Sequence, residues 1–315
     1  MSRATQLPSV EISDDEVNGP FDLQETLVSA QTAEPEWLRE EASFTDVEIF
    51  ESIPVKYSVS QIGGVDKFTL RVVVEQTTTI ESIDTKLKSH LATILGLRDD
   101  LDSFYEAFGS AQDPICSTFH RLRGLRLMQA TNLFESLIFS ILSQNNSVRL
   151  LNRRARLLMQ HFGRRVVFPD GSAHYLFPSP ERLAKCTASQ LRSKTTMGYR
   201  AKSVVEVSRM IYNEELHLHA LASASYDDAF SQLLDLPGVG PKVADCFLLY
   251  GLGKREAAPV DVWIHRIVSE LYFKGKRISK LVAGRFLRER FRDWAGYAQL
   301  YLFDYGRRRP DNRRF

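Results

Sequence analysis

Residues 234–265 read LDLPGVGPKVADCFLLYGLGKREAAPVDVWIH, and this stretch decides how the rest of the chain is read. Its first half, Leu236-Pro237-Gly238-Val239-Gly240-Pro241-Lys242, predicts a tight turn that closes one helix, over Tyr226 to Leu234, and opens another running from Pro241 to Tyr250. Two glycines one residue apart admit positive φ angles and remove side chains. Backbone N–H groups at a helix start can then point outward together toward an anion. Proline at the first helical position suits the second helix. A nucleic-acid phosphate fits such a corner; so does an ordinary turn between helices.

Lys242 stands in the first turn of the new helix, where the macrodipole disfavours a cation, and is followed by apolar Val243, Ala244, Cys246 and Phe247. An amine placed there is suited to nucleophilic work. Pro259-Val260-Asp261-Val262-Trp263 then supplies a carboxylate at the head of the next helical pattern. Asp261 reads as an N-cap, or as cap and catalyst together.

Outside this stretch, residues 1–19 are polar, acidic and aperiodic and read as a disordered leader. Residues 20–85 form the next unit. Alternation from Asp46 to Glu75, punctuated by Gly63-Gly64, predicts a small antiparallel sheet. From residue 86 to 315 the chain is helical. His90 to Gly96 and Asp100 to Phe108 read as short helices, and Leu133 to Ser143, apolar on nearly all faces, as the buried centre of a bundle. That helix ends at Gln144-Asn145-Asn146, where an asparagine can simply cap it. Tyr199 and Arg200 precede the helical pattern Ala201 to Tyr212. Helices around Ser279 to Phe291 and Ala295 to Gly306 follow, and on the last, Gln299 and Phe303 share one face. An amide above a flat ring can hold a purine by its edge and face; Phe303 as plain core is the alternative.

The formal net charge of the 315 residues is +2, but residues 1–56 hold 3 Lys/Arg against 13 Asp/Glu, so the remainder is strongly basic. Basic residues gather at Arg121, Arg123 and Arg126, at Arg149, Arg153, Arg154 and Arg156, and in the tail at Arg307, Arg308, Arg309, Arg313 and Arg314. Together they suit a polyanion. Three scattered cysteines, Cys116, Cys186 and Cys246, argue against a disulfide framework and for a reducing, intracellular compartment. No Cys cluster follows Asp261, and the seven histidines show no ligand spacing, so neither an iron-sulfur cluster nor another metal or cofactor is expected. No apolar run approaches the roughly 20 residues that span a bilayer.

LPGVGPKVADC followed by PVDVW resembles the helix-hairpin-helix (HhH-GPD) DNA glycosylase superfamily, and within it the 8-oxoguanine DNA glycosylase branch; the likeness runs from about Leu95 to Phe303. The resemblance implies a mainly α fold, α+β overall, in which a helix-hairpin-helix core carries a small N-terminal antiparallel β domain. It implies Lys242 as nucleophile and Asp261 as the carboxylate that stabilises charge on the sugar. Gly238, Val239 and Gly240 would grip a phosphate. By the same likeness Asn145 contacts the orphaned cytosine, Tyr199 is the wedge and Arg200 reads the cytosine edge. Gln299 and Phe303 hold the damaged purine, with Cys246 on its opposite face. Ser29-Ala30-Gln31 is the nearest match to a Ser-Gly-Gln segment whose glycine carbonyl receives the added ring N–H of the oxidised base; Ala30 stands where the branch has glycine.

The expected function is a bifunctional DNA glycosylase and abasic-site lyase that removes 8-oxoguanine, opposite cytosine, from double-stranded DNA, acting as a monomer away from membranes. Two alternatives stand beside it: an alkylpurine glycosylase, whose branch lacks the lysine, and a non-catalytic helix-hairpin-helix DNA-binding protein.

Overall fold

The computed structural model describes residues 8–31, 38–40, 43–76, 78–110 and 112–308. Five strands, β1 (Ser9–Ser13), β2 (Leu38–Glu40), β3 (Ser43–Phe50), β4 (Ile53–Gly63) and β5 (Phe68–Gln76), form an antiparallel sheet in the order β1-β5-β4-β3-β2. Alternation builds it: Leu70, Val72 and Val74 of β5 are fully buried, while Thr69, Arg71 and Val73 between them are not. Gly63, at φ +99°, makes the turn into β5, and a side chain there would strike the Lys67 carbonyl.

Two expectations for the N-terminal half are corrected. The stretch read as a disordered leader contains β1, which pairs with β5, Ser9 opposite Val73 and Ser13 opposite Thr69, and buries Val10 and Ile12. Two inward apolar positions in an acidic stretch make too short a pattern to read without the partner strand. Residues 1–7 lie outside the described residues. The boundary at residue 85 also moves. Helix α2 (Ile83–Ile94), preceded by α1 (Leu23–Val28), places Leu87, Leu91 and Ile94 in the sheet's own core, with Leu95, Leu97 and Met128. It starts at Ile83 rather than His90.

The remaining helices are α3 (Leu101–Phe108), α4 (Cys116–Arg121), α5 (Leu133–Leu142), α6 (Val148–Phe162), α7 (Pro180–Ala184), α8 (Ala188–Thr195), α9 (Arg200–Tyr212), α10 (Leu218–Ser223), α11 (Tyr226–Leu234), α12 (Pro241–Cys246), α13 (Val262–Phe273), α14 (Lys280–Phe291) and α15 (Ala295–Arg307). A short hairpin, β6 (Arg165–Val167) with β7 (Ala173–Tyr175), interrupts them after α6. Helix α5 is central, with Leu137, Ile138, Ile141 and Leu142 fully buried. Helix α12 does not run on to Tyr250 as an α-helix; it passes into a π-helical turn over Phe247–Gly251, a feature often found at functional sites. Among the described residues no helix is long and apolar enough to cross a membrane.

The basic clusters divide into structural and exposed members. Arg126 is fully buried at the seam between the sheet and the helices, not turned to a polyanion. Its guanidinium donates to the carbonyls of Pro20 (3.0 Å), Gly96 (2.7 Å), Asp99 (2.8 Å) and Asn18 (2.7 Å), which is what a buried cation requires. Arg123 pairs with Asp66 and Asp102. Arg307 donates to the Val28 carbonyl at 2.9 Å and Arg308 pairs with Glu25, so both tie the end of α15 to α1. Arg309, Arg313 and Arg314 lie outside the described residues. Arg149, Arg153 and Arg156 remain exposed on one face of α6.

Candidate active site

The turn between α11 and α12 has the shape its glycines demand. Gly238 takes φ +77°, and a side chain there would collide with Ser203 of α9. Gly240 is the N-cap of α12 with no side-chain cap of its own, and the space where its side chain would stand is open. An anion can therefore approach the α12 N-terminus closely. Val239 does not join its neighbours in facing outward. Its side chain is buried in the helical core and its N–H donates to the Leu236 carbonyl at 3.1 Å, so it shapes the turn without offering a donor.

The turn that closes α5 lies against this hairpin. Gln144 Nε2 donates to the Gly238 carbonyl at 2.6 Å. Asn146 caps the helix, donating to the Leu142 carbonyl at 3.0 Å, which leaves Asn145 exposed at φ +41° with its amide 3.4 Å from the Tyr199 hydroxyl. The capping role and the outward-facing role thus fall to different asparagines. Tyr199 is 59% exposed, as a wedge requires. Arg200 sits directly behind Tyr199. Its side chain is buried, donates to the carbonyls of Gln144 and Asn145, the latter at 3.2 Å, and lies 4.5 Å from the Tyr199 ring centroid. A buried guanidinium must find acceptors, and the carbonyls at the negative end of α5 supply them. Arg200 Nε has no hydrogen-bond partner among the described residues.

Lys242 projects from the first turn of α12 and donates to Ser143 Oγ at 2.7 Å. Asp261 is the N-cap of α13, and both capping bonds, from Trp263 N (2.9 Å) and Ile264 N (2.8 Å), go to the same oxygen, Oδ1. One carboxylate oxygen thus caps the helix, as the bland reading holds, without taking up the other. Cys246, one turn after Lys242, is buried; burial pushes its thiol up while the neighbouring Lys242 pulls it down. Tyr250 is half-buried near them, and desolvation with the nearby Cys246 and Asp261 raises its hydroxyl. Asp245, also buried, is raised to about 6 by burial, against a 2.7 Å hydrogen bond from Tyr226 and the charge of Arg288. On α15 Gln299 is buried with Oε1 lacking a hydrogen-bond partner among the described residues, and Phe303 is half-buried.

One cavity of about 1240 Å³ gathers most of these residues: Lys242, Asp261, Cys246, Gln299, Phe303, Ala30, Asn145 and Gly240 all line it. Tyr199, Arg200, Gly238 and Val239 do not. Ala30 adopts φ +65°, a left-handed conformation that suits the glycine found there in the resembled branch. Its neighbour Gln31 locks the segment to the helical body through Arg126 O (2.8 Å) and Met128 N (3.0 Å). The β6-β7 hairpin supplies a wall of the cavity through His174 and Tyr175, and is held on the sheet by Lys56, which pairs with Glu75 and Asp170. The sequence reading missed Ser143 and Gln144. Their signal was positional: polar side chains in the last turn of an otherwise apolar helix need partners, and here the partners are the lysine and the hairpin.

Against known proteins, residues 138–293 match the model of the family described as HhH-GPD superfamily base excision DNA repair protein. The chain is 35% identical to a probable N-glycosylase/DNA lyase of Methanothermobacter thermautotrophicus, over 92% of this chain and 95% of that protein. It is 32% identical to the N-glycosylase/DNA lyase of Saccharomyces cerevisiae over 59% of this chain and 52% of the yeast protein. Among solved structures, MBOgg1 in complex with a low-affinity DNA ligand superposes with a TM-score of 0.80 at 29% identity, covering 98% of this chain and 97% of that one. The apo-form of Clostridium acetobutylicum 8-oxoguanine glycosylase/lyase gives 0.77 at 26% identity, covering 94% and 96%.

Proposed function

This chain belongs to the HhH-GPD superfamily of base excision DNA repair proteins, and from that premise we propose that it is a bifunctional DNA glycosylase and abasic-site lyase that excises 8-oxoguanine from duplex DNA. The observation that carries the reading is the single cavity lined by Lys242 and Asp261 together with Cys246, Gln299 and Phe303. A purine inside the stack is out of reach, so the nucleotide is extruded at a cost of a few kcal/mol, with Tyr199 filling the space it leaves. Gly238 shapes the hairpin, and the open backbone at Gly240 holds a strand phosphate at the start of α12.

Lys242 Nζ then forms a bond to the anomeric carbon as the glycosidic bond breaks, the electron pair leaving with the base. The nitrogen passes one proton to the ring oxygen as the sugar opens, leaving a protonated Schiff base, and loss of a proton from the adjacent carbon then expels the 3′ phosphate, nicking the strand. Asp261 stabilises the positive charge that builds on the sugar while its Oδ1 remains anchored on α13. Phe303 and Cys246 cover the two faces of the base, Gln299 reads its edge, and the Ala30 carbonyl receives the added N–H. Asn145, exposed beside Tyr199, and Arg200, whose Nε lacks a partner among the described residues, are the groups assigned to the opposite cytosine. The site is assembled from one chain, so a monomer suffices.

The deciding experiment is borohydride trapping on a duplex carrying 8-oxoguanine opposite cytosine. A covalent adduct is expected from the native chain and none from Lys242→Gln, with duplex binding retained; an adduct from the variant places the nucleophile elsewhere. Faster release of alkylated adenine than of 8-oxoguanine would move the enzyme to the alkylpurine class.

A further inference from the structure

Lys242 meets α5 through a single hydroxyl. Its Nζ donates to Ser143 Oγ at 2.7 Å, and that same oxygen donates its own proton to the Ser140 carbonyl, also at 2.7 Å. A hydroxyl has one hydrogen, and a carbonyl cannot give one back. Toward the lysine, Ser143 therefore offers lone pairs alone, and the lysine is the donor whether it is charged or neutral. In the neutral amine one N–H bond is held on Ser143, which restricts rotation about the last carbon-nitrogen bond and so restricts where the lone pair points.

The acceptor is itself held in place. Gln144, the next residue, donates to the Gly238 carbonyl at 2.6 Å and to the Ile141 carbonyl at 3.1 Å, while Asn146 donates to the Leu142 carbonyl. The end of α5 is thereby fastened to the hairpin from which Lys242 projects, and hairpin and acceptor are held in register.

We propose that Ser143 is a positioning residue for the Schiff-base reaction, orienting the Lys242 amine by accepting a hydrogen bond from it. The inference rests on the glycosylase/lyase reading above and concerns a residue that acts through the nucleophile it touches. Displacing a reacting atom by about 1 Å costs on the order of 100-fold, which sets the scale expected.

The test compares the full-length native chain, Ser143→Ala and Ser143→Thr on the 8-oxoguanine:cytosine duplex, measuring the single-turnover rate of borohydride-trappable adduct, duplex affinity and thermal midpoint. Ser143→Ala should slow adduct formation by about 10- to 100-fold while affinity stays within about twofold of native, as expected for a hydroxyl that carries no charge to a phosphate. Ser143→Thr, which keeps the hydroxyl, should recover most of the rate. A native rate from Ser143→Ala, a loss that follows affinity, or a threonine variant as slow as alanine overturns the proposal. If Ser143→Ala fails to fold, Ser143→Cys, of similar size but a weak acceptor, is judged by the same criteria. Native trapping that Lys242→Gln abolishes and Ser143→Ala leaves untouched sinks the positioning role alone; absence of native trapping sinks the glycosylase/lyase reading itself.

Discussion

Arg126 at the seam and Gln299 in the cavity are both buried polar side chains, 0% and 5% exposed, yet they are provisioned in opposite ways. Arg126 gives four hydrogen bonds to four backbone carbonyls. Gln299 keeps Oε1 without a partner among the described residues. A completed buried network contributes stability and a fixed geometry. An incomplete one costs stability, and the cost makes sense where a bound molecule completes it. The seam holds the two halves of the molecule together; the cavity between them keeps bonding capacity in reserve.

The contrast is sharpest under substitution. Arg126→Met keeps the bulk but leaves four carbonyls unmet, and should destabilise the fold by about 3–5 kcal/mol, read as a fall in chemical-denaturation midpoint. A loss under about 1 kcal/mol would mean that the seam network is not what joins the halves. Gln299→Ala should behave in reverse: nearly native stability, and excision of 8-oxoguanine reduced by roughly 100-fold, the scale of one lost transition-state hydrogen bond in a buried site. An equal loss of stability would place Gln299 in the core and not among the reading groups.

Asp245 offers a finer cut, because it too is buried but carries a charge that burial opposes. Its carboxyl is raised to about 6 from 3.8, so the folded state holds the proton more tightly than the unfolded chain. Its contribution to stability is therefore fully present below about pH 4 and lost as the pH rises through about 6. Asp245→Asn should add on the order of 1–3 kcal/mol at pH 7 and little at pH 4. Denaturation curves at the two pH values decide it; an equal gain at both would show that charge is not the cause.

The smallest effect expected is at Ala30, whose φ of +65° costs an L-residue about 1–2 kcal/mol while glycine's extra unfolded freedom returns about 0.5–1. Ala30→Gly should stabilise by about 0.5 kcal/mol and sharpen the preference for 8-oxoguanine over guanine. An unchanged excision ratio would remove Ala30 from the base-reading set.

What the sequence disclosed follows from the range of the forces involved. The α11-turn-α12 unit was legible because its glycines, proline and lysine act within a few residues of one another, and α11 was read at its observed bounds, Tyr226–Leu234. Strand β1 was not, because Val10 and Ile12 become a pattern only opposite β5. The arginines misled for a related reason. A basic residue counts toward net charge wherever it lies, and only the fold shows that Arg126 spends its donors on carbonyls while Arg149, Arg153 and Arg156 keep theirs at the surface. For the site, Lys242, Asp261, Cys246, Gln299 and Phe303 were named from sequence and share one cavity. Ser143 and Gln144 escaped because a hydroxyl and an amide at a helix end have too many ordinary uses.

Helix α15 ties the order of synthesis to fidelity. Lys242 and Asp261 leave the ribosome before Gln299 and Phe303, so on the proposed function a chain stopped short of Ala295 would contain the groups assigned to breaking the glycosidic bond and lack the groups assigned to choosing the base. Such a fragment would attack sugars without discrimination if it folded. The same helix, however, carries Tyr297, Leu300, Tyr301 and Leu302, all essentially fully buried in the helical core. Cutting away the reader also cuts away the packing on which the nucleophile's own scaffold depends. On the proposed function, selectivity and foldability are thus encoded in one segment, and a truncated product is expected to lose its fold together with its reader.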